Sequence, residues 1–94
     1  MAYEVIINKR FSKKLLLLLD YLKAEFGERV ANDFQDTVLV RINLLKINPY
    51  IGGPTGITSV KSTLVTKHNR LYYWLNENKI VILNLYDTRS TYKK

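Results

Sequence analysis

The chain has 94 residues, enough for one domain, residues 1–94, built around a single two-layer core. It contains no cysteine and one histidine, which excludes disulfides, thiolate catalysis and metal sites built from those residues. The formal net charge is +7, and the 47% apolar content is that of a folded globular chain. We therefore expect a small, basic protein of the cytoplasm, without a signal peptide and without a membrane-spanning segment.

The first predicted element is a short strand over residues 3–7, because Tyr3, Val5 and Ile7 stand at every second position. Two predicted helices follow it. Ser12 is a candidate N-cap for the first helix, and Gly27 is a good residue to end it. The second helix should cover residues 28–46 and stop at Asn48, because a residue before proline avoids helical backbone. With Gly27 alone between them, the helices must fold back as a hairpin.

Apolar residues at helical spacing define the expected core side of each helix. They are Leu15, Leu18, Leu19, Leu22 and Phe26 in the first helix, and Val30, Phe34, Val38, Ile42 and Leu45 in the second. The first helix has a surplus, since residues 15–19 are all leucine and a buried stripe needs fewer. Leu16 should therefore face outward, either beneath a loop or in a docking groove for a partner.

Three β-rich segments, residues 60–66, 70–75 and 80–86, follow a glycine-containing loop over residues 50–59. The order β-α-α-β-β-β predicts an α+β fold, with the helical hairpin packed on one face of a small antiparallel sheet. Alternation places two sets of side chains on the other, open face. These are Arg70, Tyr72 and Trp74 in one strand, and Ile82, Asn84 and Tyr86 in the next, which leaves Leu71, Tyr73, Leu75, Val81, Leu83 and Leu85 for the core.

Most of the charge lies in residues 61–94, which hold seven Lys or Arg against two acidic residues, or +5 of the formal +7. Tyrosines and the single tryptophan stand among these cations. Cations pair with phosphate and aromatic rings stack on bases, so the combination favours a nucleic acid or an acidic protein partner.

The text KHNRLYYWLNENKIVILNLYDTR, residues 67–89, resembles the closing strands of toxins of the RelE/ParE superfamily. An Arg-Leu-x-Tyr segment starts one strand and Asp-Thr-Arg closes the next, as in that superfamily. Two other segments are similar to the sequences of family members at corresponding positions: Met-Ala-Tyr-Glu-Val at the start of the chain and Asn-Pro-Tyr-Ile-Gly-Gly-Pro at the end of the second helix. The resemblance covers almost the whole chain and implies one half of a type II toxin–antitoxin pair.

The resemblance implies two possible targets, ribosome-bound messenger RNA cut without metal as in RelE-like members, or DNA gyrase as in ParE-like members. It implies an acidic antitoxin as partner and no cofactor. By motif match the catalytic candidates are Lys61, Arg70 and Arg89, with a looser match at Tyr92. His68, in a turn where some relatives have a small or polar residue, is a further candidate as a base, and Thr63 stands where RelE-like toxins carry a second lysine. Nucleic-acid contacts are expected from Lys67, Tyr72, Trp74, Lys93 and Lys94, and antitoxin contacts from Leu16, Leu17 and Tyr21.

Other roles stay open for these residues. Arg70 and Arg89 are equally consistent with solvated charges. His68 fits a turn residue better than a catalytic base, because histidine suits turns with a positive φ. Tyr72 and Trp74 could pack on a protein instead of a base. A non-toxic RNA-binding or adaptor domain of the same fold is the alternative from a different functional class.

Overall fold

The computed structural model describes residues 3–87. In chain order the elements are β1 (Glu4–Ile7), α1 (Lys9–Phe26), α2 (Glu28–Ile47), a 3₁₀ turn (Pro49–Ile51), β2 (Gly53–Pro54), β3 (Val60–Thr66), β4 (Asn69–Asn76) and β5 (Lys79–Asp87). The strands form one sheet of order β1-β5-β4-β3-β2, in which β1 is parallel to β5 and the other neighbours are antiparallel. The predicted class is confirmed, with β2 as an addition inside the expected loop. None of the helices within residues 3–87 is long and apolar enough to cross a membrane.

The helix α1 begins one turn earlier than the sequence predicted. Asn8 is its N-cap, because the Asn8 side-chain oxygen accepts a hydrogen bond of 2.7 Å from the Arg10 amide. The prediction of Ser12 as the cap was wrong. The earlier start brings Phe11 into the core, where it is 2% exposed. At the other end only Gly27, at φ +100°, separates α1 from α2, and the two helices pack against each other, so the predicted hairpin is confirmed.

The predicted core side of α2 is correct along most of its length. Val38 and Leu45 are fully buried, and Phe34 and Ile42 belong to the same cluster. Two predicted core residues are wrong, and both lie near Gly27 at the tip of the hairpin: Val30 of α2 is 42% exposed and Phe26 of α1 is 60% exposed.

The predicted core side of β5 is half wrong. The two-residue turn between β4 and β5 pairs Asn76 with Lys79, which places Val81 opposite Trp74 on the open face and buries Ile80 and Ile82. An extra residue, Leu83, then interrupts the pairing, because Tyr72 pairs with Asn84 whereas Tyr73 pairs with Ile82. This β-bulge reverses the alternation. Asn84 and Tyr86 consequently lie on the open face as predicted, and Leu85 is buried as predicted.

Tyr73 fastens the segment after α2 to the sheet. Its side chain is fully buried, and its hydroxyl donates to the Pro49 carbonyl at 2.6 Å and accepts from the Gly52 amide at 3.1 Å. Burial raises the pKa of the Tyr73 phenol above its ordinary value, so the neutral form is retained. A Cβ at Gly52 would collide with the Tyr73 hydroxyl and with the Ser62 carbonyl oxygen, so glycine is required there by the close approach.

Candidate functional site

The open face carries a compact group of polar and aromatic side chains, which we call the open-face cluster: Ser62, Arg70, Tyr72, Asn84 and Tyr86. Strand pairing sets them side by side, with Arg70 opposite Tyr86 and Tyr72 between Ser62 and Asn84. One guanidinium nitrogen of Arg70 donates to the Ser62 hydroxyl at 2.9 Å. The Tyr72 and Tyr86 rings meet edge to face at 5.4 Å between centroids, and the Asn84 amide donates to the Tyr86 hydroxyl at 3.0 Å. The bulge at Leu83 creates this cluster, because it returns Asn84 and Tyr86 to the open face.

The first turns of α1 border the open-face cluster with positive charge. The Lys14 ammonium lies 4.5 Å from the Tyr86 ring centroid and donates to the Leu85 carbonyl at 3.2 Å. Arg10 and Lys13 line the same cavity as Lys14 and Tyr86. The sequence shows that Arg10, Lys13 and Lys14 are close in the helix, but sequence reasoning missed them because their distance from β5 depends on tertiary packing.

A continuous trough runs along α1 beside β5. It consists of three adjoining cavities of about 410, 280 and 310 Å³. The first two share Arg10 and Tyr86, and the last two share Lys14 and Leu17. The trough is therefore cationic near the start of α1, whereas near Leu17 and Leu18 its charged lining is one cation, Lys14, and one acidic residue, Asp87. An extended chain with acidic and apolar groups would complement both parts.

Trp74 lies on the open face, as predicted, but in an apolar row next to the open-face cluster. The row crosses four strands in register through Ile6, Val81, Trp74 and Val60. Trp74 and Ile6 are each 39% exposed. The indole is thus available for contact with a base or with a protein, beside neighbours that favour apolar contact.

The structure separates Lys61 and His68 from Arg70. Lys61 pairs with the buried Tyr73, so it lies on the helix side of the sheet, where its ammonium is 5.8 Å from the Tyr50 ring centroid. His68 lies in the β3–β4 turn, where its amide donates to the Thr66 hydroxyl at 3.1 Å.

His68 lines a cavity of about 330 Å³ together with Phe26 and Phe34 on the helix side. Lys67 is exposed in the same turn. The other predicted contacts, Arg89, Tyr92, Lys93 and Lys94, lie outside the described residues.

The predicted antitoxin contacts are exposed on α1, at 63% for Leu16, 61% for Leu17 and 55% for Tyr21. The outward direction of Leu16 is confirmed. Leu17 and Tyr21, four residues apart, share one side of α1; Leu17 lines the trough and Tyr21 lines the neighbouring cavity that His68 also lines, whereas Leu16 is turned by about 100° from Leu17. The structure thus groups Leu17 and Tyr21 with Lys14 and places Leu16 on a neighbouring side.

The fold and the open-face cluster together define a small α+β protein with a helical hairpin on one side of a mixed sheet and a cationic, aromatic surface on the other. No protein-family model and no curated protein sequence matches the chain. Solved structures do match it. The chromosomal ParDE toxin–antitoxin system of P. aeruginosa matches with a TM-score of 0.79 and 13% identity, covering 92% of this chain and 96% of the other.

Two further matches come from toxin–antitoxin complexes. The RelBE2 complex of Mycobacterium tuberculosis gives a TM-score of 0.64 at 17% identity over 93% of this chain and 99% of the other. The DinJ-YafQ complex of E. coli gives a TM-score of 0.68 at 10% identity over 98% of this chain and 99% of the other. The chain therefore has the fold of the RelE/ParE toxins over nearly its whole length.

Proposed function

We propose that the chain is the toxin of a type II toxin–antitoxin pair and that it arrests growth by binding DNA gyrase. The fold shared with the ParDE, RelBE2 and DinJ-YafQ proteins supports the toxin assignment, as does the net charge of +7. The observation that carries the choice of target is the position of Lys61 and His68, neither of which lies with Arg70 on the open face.

Metal-free cleavage of RNA requires a base for the 2′-hydroxyl and cations for the charge that builds on the phosphate. Arg70 could supply such a cation, but a sheet lies between it and Lys61, and Thr63 cannot replace the second lysine. The open-face cluster can still bind a partner molecule without proton transfer. Arginine can bind an anion through two hydrogen bonds, and the rings of Tyr72 and Tyr86 present apolar surface beside it. A binding mechanism therefore agrees better with the geometry than a cleaving one.

Ribosome-dependent cleavage of messenger RNA is the second candidate, because an arginine beside two tyrosines also suits a phosphate and a stacked base. In that mechanism Arg89 and Tyr92 would complete the site with Arg70. A non-toxic RNA-binding or adaptor domain is the third candidate and would use the same surface without arresting growth.

The antitoxin proposed for this chain is acidic and partly disordered, and it binds along the trough. Its apolar anchors would contact Leu17 and Tyr21, with Leu16 at the margin, and its acidic groups would lie near Lys14. Because Lys14 also contacts Tyr86, a segment in the trough would cover one side of the open-face cluster. Binding of the antitoxin would thereby restrict access to the cluster directly.

The test is induced expression in bacteria, followed by two assays with purified protein. We expect growth arrest, inhibited supercoiling of plasmid DNA by gyrase, and intact message on programmed ribosomes. Arg70→Ala should relieve the arrest, and Lys61→Ala, on the opposite side of the sheet, is its matched control and should not. Cleaved message with normal supercoiling would instead establish the nuclease, and activity in neither assay would favour the adaptor.

A further inference from the structure

The cavity of about 280 Å³ beside the start of α1 combines positive charge with hydrogen-bond donors. Arg10, Lys13 and Lys14 line it together with Asn84 and Tyr86. None of the described residues that line this cavity is acidic. Cations and uncharged donors that converge on one cavity attract an anion and can hold it by hydrogen bonds. The cavity is therefore suited to a negatively charged group of a ligand.

Asn84 sets the direction of the hydrogen bond that the Tyr86 hydroxyl makes. Asn84 is only 8% exposed, and its side-chain oxygen accepts from the Leu85 amide at 2.8 Å. Because that oxygen is held by a donor, the Asn84 amide nitrogen faces Tyr86 and donates to its hydroxyl oxygen at 3.0 Å. The Tyr86 oxygen is the acceptor there, so its own hydrogen remains for donation to another acceptor. The Tyr86 hydroxyl thus adds a neutral donor to the cations of the cavity.

The adjoining cavity of about 410 Å³ offers a different kind of surface. It shares Arg10, Asn84 and Tyr86 with the cationic cavity, but the rest of its lining is Asn8, Tyr72 and three apolar side chains. The apolar ones are Ile57, Val60 and Leu83. Its volume is in the range of sites for small organic molecules, and an aromatic ring beside apolar side chains favours a flat ring system.

We infer that the two cavities together bind a nucleoside monophosphate. Its phosphate lies between Arg10, Lys13 and the Tyr86 hydroxyl, and its base lies beside Tyr72. A phosphate monoester carries about −1.5 to −2 charges near pH 7, which matches a group of cations better than the single charge of a carboxylate does. A longer nucleic-acid strand is less suited, because the third cavity of the trough is lined by leucines and by Asp87, which repels phosphate. This site goes beyond the function proposed above, since it requires neither gyrase nor the ribosome.

Isothermal titration calorimetry on the whole chain measures this binding at about 150 mM salt, where non-specific attraction to the basic surface is screened. Adenosine monophosphate should bind with a Kd below about 1 mM. Adenosine and inorganic phosphate, which each fill one of the two cavities, should bind at least about tenfold more weakly. An oligonucleotide without a terminal phosphate is the probe for binding through the backbone of a strand.

Two substitutions test the hydroxyl donor. Tyr86→Phe keeps the ring but removes the donor, and Asn84→Asp keeps an acceptor for the Leu85 amide but accepts the Tyr86 hydrogen and repels phosphate. Each should weaken the binding of adenosine monophosphate by about tenfold or more. Tyr21→Phe is the matched control, because Tyr21 is 55% exposed on α1 and lines neither cavity, and it should leave the affinity unchanged.

Circular dichroism checks that every variant is folded. Three results would overturn the proposal. In the first, adenosine monophosphate does not bind, or binds no more tightly than inorganic phosphate or adenosine. In the second, Tyr86→Phe binds it as tightly as the parent. In the third, the oligonucleotide loses as much affinity in Tyr86→Phe as adenosine monophosphate does, which would assign the cavity to the backbone of a strand.

Discussion

Replacing Tyr73 by phenylalanine removes one oxygen from a site that the structure describes completely. The Pro49 carbonyl is buried and loses its donor, and the half-buried Gly52 amide loses its acceptor. A buried polar group left unpaired costs about 1–3 kcal/mol, and the less buried amide adds a smaller amount. We therefore expect Tyr73→Phe to lower the free energy of unfolding by about 2–3 kcal/mol, without a cavity to add to it.

Urea denaturation measures this change as a lower midpoint with an unaltered slope. Tyr21→Phe is the control, because Tyr21 is 55% exposed and should change stability by less than about 0.5 kcal/mol. A Tyr73→Phe protein as stable as the parent would show that the hydroxyl does not hold the segment after α2, and the reasoning would fail.

The pH dependence gives the same argument a second test. Burial raises the folded-state pKa of Tyr73 above its ordinary value of 10.0. The stabilisation of the folded state by the neutral Tyr73 phenol is therefore fully present below pH 10. It is lost as the pH rises from the pKa of the unfolded state toward the higher pKa of the folded state. The stability difference between the parent and Tyr73→Phe should be constant near neutrality and shrink above pH 10. A difference that grows with pH would contradict this assignment.

Three more substitutions have defined outcomes. Gly52→Ala should destabilise the fold by at least about 1 kcal/mol in the same urea assay, because its Cβ would displace the Tyr73 hydroxyl; a neutral change would show that the close approach relaxes. Arg70→Lys should relieve growth arrest nearly as well as Arg70→Ala, since lysine cannot bind an anion in two places, and retained toxicity in Arg70→Lys would show that charge alone suffices. Lys14→Met keeps the length but removes the cation from Tyr86, and should cost about 0.5–1 kcal/mol of stability; a loss as large as that of Tyr73→Phe would mean that Lys14 carries more than this contact.

The sequence alone determined the order of the helices and of the longer strands, and the core side of α2 over most of its length. The helices were predictable because apolar residues such as Val38 and Leu45 recur at helical spacing. Their ends were predictable because Gly27 ends α1 and Pro49 follows the end of α2. Such signals are local, since each depends on residues within one or two turns. The resemblance of the closing strands added the fold, which the structural matches support over nearly the whole chain.

The candidate site was predictable in part. Arg70 and Tyr72 share a face because strand alternation is local, and that prediction is confirmed. Lys61 was matched to a catalytic position through a sequence motif. A motif gives the spacing of residues along the chain but not the face of the sheet on which a side chain lies. The pairing of Lys61 with Tyr73 places it on the helix side.

The tertiary structure decided the register of β5 and, with it, the open-face cluster. Asn84 and Tyr86 lie on the open face as predicted, but only because of the extra residue Leu83: the alternation that places Val81 there would otherwise have turned them to the helix side, and no residue type in that segment marks the bulge. The contact between Lys14 and Tyr86 likewise joins positions far apart in the chain. Periodicity fixes which residues share a side of one element, whereas packing between elements fixes which sides meet. The site depends on the second of these.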